Sequence, residues 1–197
     1  EGLRFGHTAA GDAQLPRHRQ IAATAWNIEM VTPRAMLETF KVLRVGAAEI
    51  ARHRDGLSLT DPLVVAMTRL GLFDRSQAPA PDSMATRQQI DEFAEKIAST
   101  PAFLWLTSQG NERRTQVEAG RAYARVQLAA TAQGLVMQPL QQALQEYAEQ
   151  AGPYADVHAL LQAPRPLHTV QMWARVGFAE PVEPAPRRGV DAHLVKA

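Results

Sequence analysis

Among side chains that carry chemistry, cysteine is missing from all 197 residues. Disulfides, thiolate nucleophiles and cysteine metal sites are thereby excluded. The six histidines are scattered. None stands in a His-Glu-x-x-His pattern or beside paired carboxylates at ligand spacing, so the sequence makes no case for a metal. His53, flanked by Arg52, Arg54 and Asp55, reads as a solvated helix end, and His158 and His168 flank a turn. No Gly-x-Ser-x-Gly phrase offers an activated serine. Ser58, Ser76, Ser83, Ser99 and Ser108 all sit in loop or capping contexts. Neither a Gly-x-Gly-x-x-Gly turn nor a Walker sequence occurs, which argues against a nucleotide-dependent kinase or a doubly wound dehydrogenase. Arg187-Arg188 is suited to an anion, because guanidinium pairs with phosphate through two parallel hydrogen bonds. A solvated basic tail accounts for that pair equally well.

The elements that must position any site are organised around residues 102–140. Ala102 to Leu106 (Ala-Phe-Leu-Trp-Leu) is a short continuous apolar run that suits a strand covered on both faces. A long alanine-rich helix follows over Thr115–Gln133, about 28 Å at 1.5 Å per residue. Thr115 and Glu118 have capping-box spacing, with Asn111 an alternative cap one turn earlier. Gly134 suits the left-handed conformation that ends a helix. A second short strand then reaches Pro139 and Leu140.

Upstream, residues 1–16 have no period and read as a loop or frayed end. Arg17–Met30 reads as a helix with Ile21, Ala25 and Ile28 on one face. Thr32-Pro33 opens a long amphipathic helix marked by Met36, Leu37, Phe40, Leu43, Ala47 and Ile50. Asp61-Pro62 opens another that ends at Gly71. Gln77–Asp82, with Ala-Pro-Ala-Pro, is an exposed connector and the best candidate boundary. A further short helix carries Ile90, Phe93, Ala94 and Ile97. Downstream, a helix is expected from Leu140 to about Gln150, ended by Gly152-Pro153, with a short helical segment at Asp156–Leu161. Thr169–Val176 alternates as a strand, with Val170, Met172, Ala174 and Val176 on one face and Thr169, Gln171, Trp173 and Arg175 on the other. Residues 1–98 therefore read as a helical region and 99–197 as a mixed half. A single mixed domain would read the same way.

The net charge is +1, and no apolar run approaches the roughly 18 residues that span a bilayer. Neither nucleic acid nor a membrane is an expected partner. The chain begins at Glu1 rather than methionine, as a processed or truncated product would. A cytoplasmic location is expected, with an exported form as the alternative.

The run "AFLWLTS…VEAGRAYARVQLAATAQGLVMQPL" resembles the nitroreductase family of FMN-dependent oxidoreductases, and "QMWARVGFAEPVEPAPRRGVDAHL" extends the resemblance to about half the chain. The resemblance implies an α+β fold, with a mixed or antiparallel sheet flanked by helices, a long central helix and a helical N-terminal region. It implies FMN as cofactor, NAD(P)H as electron donor, and a nitro compound, quinone or similar small acceptor. By the match, backbone at Pro139, Leu140, Gln141 and Gln142 would line the flavin ring, and Arg187 and Arg188 would hold its phosphate. Gln141 and Gln142 stand where the family often has an acidic residue and a glycine. The structural alternative for the two glutamines is the exposed first turn of a helix.

Family members normally build the site between two subunits or two fused halves, so the resemblance implies a homodimer or pseudo-dimer. Nothing before Gln14 matches the family's arginine- and serine-rich opening segment, as if an N-terminal part were missing. Residues 1–98 would then be a remnant of a first half, or a lid. Gln20–Ala25 echoes Gln127–Ala132, and Arg44-Val-Gly echoes Arg175-Val-Gly. Chance and an old duplication both explain the echo. Arg54-Asp55-Gly56 is readable as part of a lid or as a plain helix stop. A flavin-holding protein of the same fold and a cofactor-free helical interaction module stand as rival functions.

Overall fold

The computed structural model describes residues 2–194. In chain order its elements are β1 (Leu3–His7), α1 (Leu15–Val31), α2 (Pro33–Val42), β2 (Leu43–Val45), α3 (Gly46–His53), β3 (Leu57–Leu59), α4 (Pro62–Arg69), α5 (Met84–Ala98), β4 (Ala102–Gln109), α6 (Arg113–Ala132), β5 (Val136–Pro139), α7 (Ala151–Leu160) and β6 (His168–Gly177). Short 3₁₀ turns lie at Gln141–Leu144, Ala148–Gln150 and Val190–His193. The chain forms two compact units, one from residues 2–31 and 82–180, the other from 32–81 and 181–194. One seam falls at Pro81–Asp82, inside the proline-rich connector. The units do not follow a 98/99 division, because β1 and α1 pack with the downstream sheet.

The first unit is built on a four-stranded antiparallel sheet in the order β1-β4-β6-β5. β4 is interior, flanked by β1 and β6, which explains its unbroken apolar run. Phe103, Leu104 and Leu106 are all buried, so both faces of the strand are covered. A bulge between Leu106 and Thr107 shifts its register against β6. Residues 3–7, expected as loop, instead pair with β4 from Leu3↔Ser108 to His7↔Leu104. The region 1–98 is therefore not wholly helical.

α1 lays Leu15, His18, Ile21, Ala22, Ala25 and Glu29 into the core, with Ile28 outside this buried set. Trp26 stacks on Phe93 of α5 at 4.4 Å. Trp173, on the β6 face that reads as polar, is fully buried with Phe103. Full burial of such a side chain contributes roughly 1.5–3 kcal/mol.

α6 is the long helix the sequence predicts, but it starts at Arg113. Glu112 stands at the N-cap with no side-chain cap bond, so the Thr115–Glu118 box is not used. Its end is a left-handed glycine cap. Gly134 has φ +72°, its N–H donates to the Thr131 carbonyl at 3.0 Å, and the Leu135 N–H donates to Ala130 at 2.9 Å. Beyond β5 the expected helix to Gln150 is two 3₁₀ turns. The α-helix begins only at Ala151, and Pro153 sits in its first turn, where a missing N–H costs nothing.

In the second unit the long helix expected from Pro33 to Ile50 is split. Leu43–Val45 becomes a strand paired in parallel with β3. The Arg44 Nε donates to Asp55 at 2.9 Å, and the Val45 N–H donates to the Glu49 carboxylate at 2.9 Å. These bonds offset the lost helical turn. Asp61 caps α4, accepting from the Leu63 and Val64 N–H groups at 2.9 and 3.0 Å. Among the described residues, no helix is long and apolar enough to cross a membrane.

Candidate functional site

Pro139 ends β5 opposite Ala174 and is exposed. At Leu140 the chain turns inward. The Leu140 side chain joins the core, and its N–H donates to the Trp173 carbonyl at 2.8 Å. Gln141 then continues the ladder with its side chain. Its Oε1 accepts from the Trp173 N–H at 3.2 Å, while its Nε2 lies 3.6 Å from the Met172 sulfur. The Trp173 backbone is thus bound on both sides by consecutive residues, and the 3₁₀ turn at Gln141–Leu144 is anchored where β5 stops.

Gln142 reaches a different element. Its amide faces the Glu29 carboxyl of α1, a group that burial pushes above the usual carboxylate range, with Gln142 opposing the shift. Both glutamines are half-buried rather than the exposed first turn of a regular helix. The first N–H groups of such a turn have no partner within it, so a ligand lying against it meets backbone donors.

Arg187 and Arg188 belong to the second unit. The Arg187 Nη1 curls onto its own backbone, at 3.4 Å from the Ala185 carbonyl and 3.2 Å from that of Pro186. The Arg188 guanidinium lies 3.6 Å from the Asp55 carboxylate. The Arg44 hydrogen bond holds Asp55 below its ordinary range, with Arg188 adding to the effect. Asp55 therefore links the tail to β2 within this unit. Arg54 at φ +54° ends α3 as a left-handed cap, which is the plain helix stop.

The structure brings Pro139, Leu140, Gln141 and Gln142 together as one pinned turn. It places Arg187 and Arg188 side by side in the other unit. Reading the sequence missed Glu29 and His18. Their signal was legible: two ionisable residues on the stripe of α1 that also carries Ile21, Ala22 and Ala25.

No family model and no curated protein matches this chain. Solved structures do. The FMN and NADPH-dependent nitroreductase NfnB from Sphigopyxis sp. strain HMH aligns over 100% of this chain and 80% of its own, at 17% identity and a TM-score of 0.51. The FMN-dependent nitroreductase NfnB from Mycobacterium smegmatis, solved in complex with NADPH, aligns over 100% and 79%, at 17% identity and a TM-score of 0.52. Likeness at this identity is a likeness of fold. The chain has a nitroreductase-like α+β fold.

Proposed function

We propose that this protein is an FMN-dependent oxidoreductase that passes electrons from NAD(P)H to a nitro compound, quinone or similar small acceptor. What carries this reading is the pinned turn at Leu140–Gln142, set at the end of β5 in a fold shared along the whole chain with FMN-dependent nitroreductases. Bound FMN supplies the hydride chemistry itself, and the protein has to bind, orient and polarise it.

Each unit by itself carries groups suited to part of that demand. Backbone N–H groups at the start of the turn are suited to the ring's polar edge, and Arg187 and Arg188 are suited to the phosphate. Such binding would exchange the Arg188–Asp55 contact for a phosphate contact. That costs little, since Arg188 is about half-exposed in this pair and exposed pairs contribute at most about 1 kcal/mol.

The working form is proposed to be a homodimer, or a pseudo-dimer with a further half. α6 is 20 residues long, yet only Ala119 is buried on it, while Val117 and Leu128 are 49% and 71% exposed. An apolar stripe of this kind suits a helix from a second copy. A cytoplasmic location belongs to the same proposal.

Titration of the purified protein with FMN, followed by NADPH under anaerobic conditions, tests the reading. Saturable flavin binding, bleaching by NADPH and recovery on adding a nitroaromatic or quinone are expected. Bound flavin that NADPH does not bleach would make the protein a flavin-holding protein. A colourless protein that ignores FMN would leave the fold without this activity.

A further inference from the structure

β6 is longer than the strand beside it. β5 pairs with Ala174–Gly177, so among the described residues the first half of β6 has no strand on that side. An open edge offers its N–H and C=O groups to any other strand, and native sheets cover such edges. Here three N–H groups are covered by acceptors that belong to no strand. The His168 N–H donates to the Pro164 carbonyl at 3.0 Å, and the Trp173 N–H donates to Gln141 Oε1 at 3.2 Å. Between them the ladder partners Leu106↔Met172 and Thr107↔Val170 skip Gln171. At that bulge the Val170 N–H donates to Nε2 of His158 at 3.3 Å.

Of these three acceptors His158 alone titrates. The imidazole is buried on α7, and its Nδ1 lies 2.8 Å from the Tyr154 carbonyl oxygen. A carbonyl can only accept, so Nδ1 carries the proton and Nε2 receives the Val170 N–H. A second proton would go to Nε2, where two donors would then face each other. The ring ties α7 to β6 only while it is neutral. Burial, the largest influence, keeps its pKa below the ordinary histidine value, against the Tyr154 hydrogen bond. Arg165, from the turn before β6, disfavours the imidazolium, and Glu146, from the segment after β5, favours it. Glu146 is itself held by the Tyr154 hydroxyl at 3.1 Å and by Arg165 at 3.6 Å. The 3₁₀ turn before α7 brings Glu149, which is exposed, and β6 brings His168. α1, packed on the same helix, brings Arg17 and His18. Arg17 is paired with Asp156 at 2.9 Å, and His18 accepts from Trp173 at 3.1 Å.

We propose that His158 is an acid-released latch on the edge of β6: protonation of its Nε2 frees the Val170 N–H, lets α7 part from the strand and opens the first half of β6 to an added strand. Folding favours the neutral ring. The latch is therefore closed at neutral pH and loosens as pH falls below about 6.5.

The experiment follows amide hydrogen exchange of the full chain by NMR at pH 7 and pH 5, corrected for its intrinsic pH dependence. Trp173 is the internal reference. Its acceptor Gln141 does not titrate, and any loosening of the whole unit through His18 reaches both amides. Protection of Val170 should fall about tenfold more than that of Trp173 between the two pH values. His158→Gln offers an acceptor that does not titrate and should remove this difference. His158→Leu should leave Val170 poorly protected at both pH values. A proton–nitrogen correlation of the imidazole at pH 7 should place the proton on Nδ1. Parallel losses at Val170 and Trp173, a difference that persists in H158Q, or a proton on Nε2 at pH 7 would overturn the latch. The wild-type ratio and the tautomer decide the matter even where H158L fails to fold.

Discussion

The indole N–H of Trp173 donates to Nδ1 of His18 at 3.1 Å, inside a core where neither side chain is exposed. The bond fixes the imidazole tautomer, because Nδ1 must accept and the ring proton then sits on Nε2. Nε2 has no hydrogen-bond partner among the described residues. Around the ring stand Phe103 at 4.8 Å, Trp105 at 5.4 Å and Trp173 at 5.8 Å. An imidazolium in that setting would lose both its water and its Trp173 bond.

Acid should therefore weaken the first unit before it protonates the exposed carboxylates. Burial lowers the His18 pKa to about 4, outweighing the opposing pull of Asp12. The unfolded chain takes up this proton near pH 6.5 and the folded chain only near 4, so stability falls as pH drops through that window. The loss is at most about 3 kcal/mol. Denaturant unfolding between pH 7 and 4 should show a slope in wild type that His18→Phe reduces, the remainder belonging to His158, whose pKa burial also lowers. Parallel slopes in the two proteins would show that His18 does not carry the effect.

The second unit should respond lower on the pH scale. The Glu49 carboxylate takes both Arg75 nitrogens, at 2.9 and 2.8 Å, and also the Val45 N–H. The Arg75 hydrogen bond is the main cause that lowers its pKa to about 2. For a depressed carboxylate the stabilisation is present above about 4.5 and is lost as pH falls towards 2. Glu49→Gln should cost about 1–2 kcal/mol at neutral pH after allowance for partial exposure. Hydrogen exchange of β2 and α3 at pH 7 and pH 3 measures both effects. Equal protection in wild type and E49Q at pH 7 would count against the pair.

A glycine pair separates backbone strain from steric overlap. Gly56 and Gly71 both have φ +70°. A Cβ on Gly56 would lie 2.0 Å from the Val42 carbonyl oxygen, whereas on Gly71 it would meet nothing within 4 Å. Gly71→Ala should cost only the left-handed penalty, about 1 kcal/mol. Gly56→Ala should cost clearly more, because the backbone at the end of α2 must move. Similar unfolding midpoints for the two variants would mean that the approach to Val42 is not a constraint.

The elements that are continuous in pattern were legible in the sequence. β4, β6, α6 and its Gly134 cap follow from an apolar run, an alternation, a long alanine-rich stretch and a well-placed glycine. Where the structure departs, a distant partner decided. Leu3–His7 alternates only across Leu3 and Phe5, too short a pattern to read alone, and it becomes a strand because β4 offers an edge to it. The helical pattern through Leu43 gives way because Asp55 and Glu49 bond Arg44 and the Val45 N–H. Residues 139–142 were legible as a segment, but not as a pinned turn, since its anchors lie on β6. Glu29 and His18 showed only as ionisable residues on an apolar stripe, and single-sequence reasoning has no means of choosing the tryptophan that His18 meets.

The order of strands in the first sheet also sets a timetable. β4 lies between β1, about a hundred residues upstream, and β6, some sixty downstream. No neighbour along the chain can close this sheet early: a chain emerging from the ribosome carries β1 unpaired until β4 has followed it, and β4 with one edge open until residue 177 is clear. Long-range pairings of this kind slow folding and leave apolar segments open to wrong partners. Chaperone dependence during synthesis, rather than weakness of the finished sheet, is what this topology asks of the cell.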